Sequence, residues 1–91
     1  MEENKKIKLL ETLNANHSWP SVYMFKFIIP SDSSKIARLE SIFNAETAEI
    51  RSRESNKGKY TSVTIKELML SAEGVLEYYA LASKIEGVIA L

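Results

Sequence analysis

The 91-residue chain carries 12 basic and 12 acidic residues, so no global field draws it to polyanions, and a charged partner must be read by a local patch. Apolar residues make up 45% and charged residues 26%, which excludes a disordered chain and suits one domain with one core. The absence of cysteine excludes a disulfide framework, a thiolate metal centre and a thiol nucleophile.

At the amino terminus, Met1 to Lys6 lack the basic start and apolar run of a signal peptide, and no stretch approaches the roughly 20 apolar residues of a membrane span. A cytoplasmic protein without membrane contact is the expectation. Between Lys5 and Leu13, the residues Ile7, Leu10 and Leu13 recur at intervals of three with Leu9 beside them, predicting a short helix with one apolar stripe. It belongs to a helical extension over residues 1–20 of a single domain spanning 1–91. Proline disfavours helical geometry in the residue before it, so a new element begins after Trp19 and Pro20, with the indole packed over a core edge.

Ser21 to Ile29 alternates Tyr23, Phe25, Phe27 and Ile29 with Val22, Met24, Lys26 and Ile28. A strand apolar on both sides is predicted to be central. Pro30, Ser31, Asp32, Ser33 and Ser34 supply a turn and N-cap residues, and Ile36, Leu39, Ile42 and Phe43 follow at helical spacing. Further on, Ala48, Ile50 and Ser52 face one way while Glu49, Arg51 and Arg53 face the other, predicting an edge strand with one wet side. Ser55, Asn56, Lys57, Gly58 and Lys59 read as a hairpin loop in which Gly58 takes a positive φ.

The returning strand, from Tyr60 to about Leu68, turns Thr61, Val63 and Ile65 toward helices and Tyr60, Ser62, Thr64 and Lys66 outward. Ser71 then caps a second long helix bearing Ala72, Val75, Leu76, Tyr79 and Ala82, with Tyr78, Leu81 and Ile85 widening its stripe and Gly74 weakening its first turn. Gly87 separates this helix from Val88 to Leu91, a terminal strand that requires a sheet edge to satisfy its backbone. With right-handed crossovers, this order predicts an α+β fold. It is a ferredoxin-like split βαβ sandwich (βαββαβ), with a four-stranded antiparallel sheet, two helices on one face and a short N-terminal helix in addition. One sheet face is left open.

The run from Ser55 through Gly58 and Tyr60 to Ile65, with a proline-marked entry into an aromatic strand before it and a helix and short apolar terminus after it, resembles the YbeD-like family of small bacterial proteins. The resemblance extends from about Trp19 to Leu91. It implies a fold similar to ACT regulatory domains, in a family whose members have no established enzymatic activity. Where amino-acid-binding ACT domains present a glycine after the first strand, this chain has Pro30 to Ser34. Ser31, Asp32 and Ser33 are there either as hydrogen-bonding groups for a small polar ligand at a helix start or as an ordinary cap.

No catalytic constellation emerges. His17 is the only histidine, so neither a histidine-rich metal site nor a histidine-dependent triad can be assembled, and it reads as a surface residue. Acidic pairs such as Glu46 and Glu49, or Glu73 and Glu77, have the spacing of solvated faces. Gly58 lacks the second glycine of a phosphate loop. The expectation is a non-enzymatic regulatory or interaction module, without metal or cofactor, that binds a protein partner or small metabolite. Met24 and Ile28 on the open sheet face, the sheet edges and the Ser31–Ser33 turn are the candidate surfaces, and self-association as a homodimer fits the same face. The covering of that face by Ile7, Leu10 and Leu13 of the N-terminal helix is the competing expectation.

The alternative is nucleic-acid binding by Arg51, Arg53, Lys57, Lys59 and Lys66, which the hairpin gathers at one end and on the outer side of the sheet. Lys57 and Gly58 imitate the start of an RNA-recognition strand, yet Ser62 and Thr64 stand where its stacking aromatics belong.

Overall fold

The computed structural model describes residues 2–55 and 57–91, and Met1 and Asn56, the latter assigned above to the hairpin loop, lie outside the described residues. Seven elements follow in order: α1 (Glu3–Asn16), β1 (Ser21–Pro30), α2 (Ser33–Ile42), β2 (Glu49–Glu54), β3 (Tyr60–Met69), α3 (Ala72–Ala82) and β4 (Ile89–Ala90). The strands form one antiparallel sheet in the order β2-β3-β1-β4. This is the ferredoxin-like α+β arrangement with an added N-terminal helix. The ladder between β1 and β3 runs without a break from Ser21 opposite Met69 to Pro30 opposite Tyr60.

Alternation decides which side of that ladder is dry. Phe25, Phe27 and Ile29 of β1 and Val63 and Ile65 of β3 are buried with Leu39 of α2 and Val75 and Ala82 of α3. Six rings concentrate in this layer. Phe25 meets Tyr23, Phe43, Tyr78 and Tyr79 edge-on at centroid distances of 4.7, 5.1, 5.6 and 5.3 Å, and Phe27 lies parallel to it at 6.4 Å. Edge-to-face contacts of this kind add to the burial of ring area.

The helices begin where the sequence supplies caps. The Asp32 carboxylate accepts from the Ser34 and Lys35 N–H groups at the start of α2, and the Ser71 hydroxyl accepts from the Gly74 N–H at the start of α3. Leu81 departs from its expected place on the buried stripe and is exposed, whereas Ile85 is buried beyond the helix end. The terminal strand is shorter than Val88 to Leu91, although the Leu91 N–H still donates to the Lys26 carbonyl at 2.9 Å.

The extension was placed less well by its sequence. Helix α1 starts two residues earlier and ends three later than the apolar stripe indicates, and none of its residues is buried. It lies against α3, on the helical side of the sheet, so it does not cover the open face. His17 is half-buried, its ring stacked on Trp19 at 5.2 Å and its Nδ1 3.2 Å from the Ser21 hydroxyl. The Trp19 indole packs on the core edge as expected, and its Nε1 donates to Asn14 at 2.8 Å.

Two glycines take positive φ, but their surroundings differ. Gly58 has φ 70° and no contact tighter than 3.8 Å for an added Cβ. At Gly87, φ is 86° and a Cβ would stand 2.8 Å from Cγ of the rigid Pro30 ring. Gly87→Ala is therefore expected to destabilise the fold by about 1–3 kcal/mol, and Gly58→Ala by about 1 kcal/mol. Urea melts of the two variants check the order, and equal losses would show that the Pro30 contact is not limiting.

Candidate functional site

The open face is built from alternate residues of all four strands. Three rows cross it: Glu49, Lys66 and Met24; Arg51, Thr64 and Lys26; and Arg53, Ser62, Ile28 and Ile89. Val22 stands opposite Leu68 one row further on, and Leu91 lies beside Lys26 through the terminal backbone bond. Val22 is 61% and Leu68 52% exposed, so this end is an uncovered aliphatic patch. Lys26, Arg51, Arg53 and Lys66 are exposed beside it. Arg51 pairs with Glu49 at 3.0 Å, an exposed bridge with little energetic weight.

The sequence-derived candidates thus fall into three places. Met24 and Ile28 lie on this face, Met24 exposed and Ile28 half-buried. Arg51, Arg53 and Lys66 share it, while Lys57 and Lys59 sit in the loop at its end. Lys26 belongs with the basic residues as well, and its even position in β1 is the sequence signal for it. Leu68 likewise belongs with the apolar set, by its even position in β3.

Ser31, Asp32 and Ser33 come together at the start of α2, where the polar groups of Ser31 and Asp32 are engaged within the chain. The Ser31 hydroxyl meets Thr61 at 2.8 Å, and the Ser31 N–H donates to the Lys59 carbonyl at 3.0 Å. The Ser34 hydroxyl donates to Asp32 at 2.6 Å. That bond, followed by the Lys35 and Ser34 N–H groups, holds the Asp32 carboxyl below its ordinary range. The helix start is therefore already occupied by a carboxylate of the chain itself, which disfavours an anionic ligand at the same point.

On the opposite side of the sheet, Glu67 is buried, 6% exposed, at a position that the alternation assigns to the core. Its Oε1 accepts from the Asn44 N–H at 3.0 Å and its Oε2 from the Tyr78 hydroxyl at 2.5 Å. The carboxylate joins the end of α2 to α3, and both of its oxygens are used in doing so. Among the described residues, no three His, Asp or Glu side chains converge as metal ligands, and no helix is long and apolar enough to cross a membrane.

Residues 14–91 match the family model described as a protein of unknown function, DUF493. The chain belongs to the DUF493 family. Comparison with curated proteins and with solved structures gave no match. The DUF493 match begins in the last turn of α1, so it takes in the whole sheet, α2 and α3 and leaves most of α1 outside. Every residue of the open face therefore lies in the part that this chain shares with the DUF493 family.

Proposed function

We propose that the protein is a non-enzymatic interaction module whose open sheet face binds a partly apolar, acidic segment of a protein partner. The observation that supports this reading is the uncovered face, where Val22, Met24, Ile28, Leu68, Ile89 and Leu91 lie beside Lys26, Arg51, Arg53 and Lys66. Burying the aliphatic side chains supplies affinity at roughly 25 cal/mol per Å², and the basic groups supply orientation and association rate. A small metabolite fits this face less well, since ligand sites are concave. The resemblance to YbeD-like bacterial proteins and to ACT domains supports a regulatory role for such a module in the cytoplasm.

The test uses the chain as bait beside Met24→Asp/Leu68→Asp, two exposed positions where substitution is expected to leave the fold intact. An acidic protein retained by the wild type, released as salt rises and lost from the double variant, is the expected result. Equal retention by both baits would overturn the proposal. So would a dimer in light scattering that the double variant disrupts, because the face would then belong to a second copy.

A second reading is single-stranded RNA on the same basic residues, with the exposed Tyr60 as the one aromatic side chain on that face among the described residues. Binding of polyuridylate that weakens steeply with salt and disappears in Arg51→Glu/Arg53→Glu would favour it.

A further inference from the structure

Helix α1 meets the rest of the molecule only partly, and a cleft of about 610 Å³ remains between α1, α3 and the β1–β4 corner. That volume lies within the roughly 300–1,000 Å³ of small-molecule sites. Its walls are aliphatic and aromatic: Leu9 and Leu13 from α1, Phe27 from β1, Leu76 from α3 and Val88 before β4. Among the described residues, no charged side chain lines it.

Among the described residues, the polar side chains in these walls are Ser83, whose hydroxyl donates to the Ala80 carbonyl at 2.7 Å, and the pair Tyr23 and Tyr79. Tyr23 and Tyr79 both line the cleft, and their hydroxyls lie 3.1 Å apart. Two hydroxyls hold two protons, and their mutual bond uses one of them. Whichever oxygen donates, the other keeps a proton for which no acceptor is found among the described residues. Burial, then the bond to Tyr23, pushes the Tyr79 hydroxyl up from its ordinary value, so it stays protonated and remains a donor at neutral pH.

We propose that this cleft binds a small neutral ligand with an apolar body and a single hydrogen-bond acceptor, such as a ketone or ester carbonyl, seated against the tyrosine pair. The apolar walls hold the body and the spare hydroxyl proton fixes the acceptor. A carboxylate is disfavoured because no cation would compensate its loss of water. The site lies on the helical side of the sheet, away from Met24, Ile28 and the basic residues, and shares only Leu91 with the surface described for the open face.

The probe is methyl octyl ketone, titrated into the full chain and followed by amide chemical shifts. Shifts in α1, α3 and β4, with β2 unmoved, are the expected pattern. Decanoate has a similar length but is charged at neutral pH, and it is expected to bind at least about tenfold more weakly. Tyr23→Phe/Tyr79→Phe removes both hydroxyls and is expected to weaken the ketone about threefold to tenfold, while toluene, which carries no acceptor, binds as before. Ala80→Phe fills the cleft from an exposed helical position and is expected to abolish binding of both.

The proposal is overturned if the ketone shifts none of these residues, if decanoate binds as well as the ketone, or if the tyrosine double variant weakens ketone and toluene equally. The comparison of ketone with decanoate needs only the wild-type chain, so it decides the matter even if a variant fails to fold.

Discussion

Phe25→Ala is expected to remove about 3–5 kcal/mol of folding stability, the largest loss predicted for any single side chain here. The ring is fully buried on the central strand and meets four other rings edge-on. Truncation leaves a void bordered by α2, α3 and β1 together, and these elements cannot close it without shifting the ladder to β3. A chain of this size has a total stability on the order of 5–14 kcal/mol, so the variant would retain only part of it. Urea unfolding measures the effect, and a loss below about 2 kcal/mol would mean that the surrounding rings collapse into the space.

The second large effect belongs to Glu67. Glu67→Ala leaves the Asn44 N–H and the Tyr78 hydroxyl without their acceptor, at an expected cost of about 2–4 kcal/mol. Glu67→Gln keeps an acceptor oxygen and is expected to cost less than half as much; equal losses in the two variants would show that the hydrogen bonds are not the cause. The same contact makes stability depend on alkaline pH. Burial first, and then the bond and charge of Glu67, push the Tyr78 hydroxyl from 10.0 up to about 12. The unfolded chain ionises at the lower value, so the contribution is complete below pH 10 and is lost as pH rises through about 12. Circular dichroism across that window checks it. Tyr78→Phe should flatten the loss without abolishing it, because the Tyr79 hydroxyl is also pushed up.

The parts of this fold that were legible in the sequence are those with a clear period. The alternation of β1 and β3 gave both the central position and the buried side, and the capping residues Asp32 and Ser71 placed the starts of α2 and α3. The boundaries of α1 were less visible, because Asn14, Ala15 and Asn16 continue the helix without adding to its stripe. Its packing partner was not visible at all, since an apolar stripe of Ile7, Leu10 and Leu13 says that a helix docks but not on which surface. Glu67 escaped notice for a different reason. Its position is inward by alternation, but a carboxylate is expected there only when its partners are known, and Asn44 and Tyr78 come from distant parts of the chain.

The candidate site was legible to a similar degree. Strand alternation alone assigns Met24 and Ile28, and separately Arg51, Arg53 and Lys66, to the outer side of the sheet, whereas their standing in neighbouring rows follows from the register. The cleft beside Tyr79 was not legible, because it exists only where α1, α3 and β4 come close in space.

The sheet order also bears on the time course of folding. β2 and β3 are joined by a short loop, so that pair closes locally, whereas β1 reaches β3 only after α2 and the whole hairpin have been traversed. The expected sequence of assembly begins with the hairpin, and the ladder between β1 and β3 waits on the entropy of closing the longer loop. Shelter for the ring cluster comes late on that route, and a nascent chain would show its stickiest surface to its neighbours until the ladder forms.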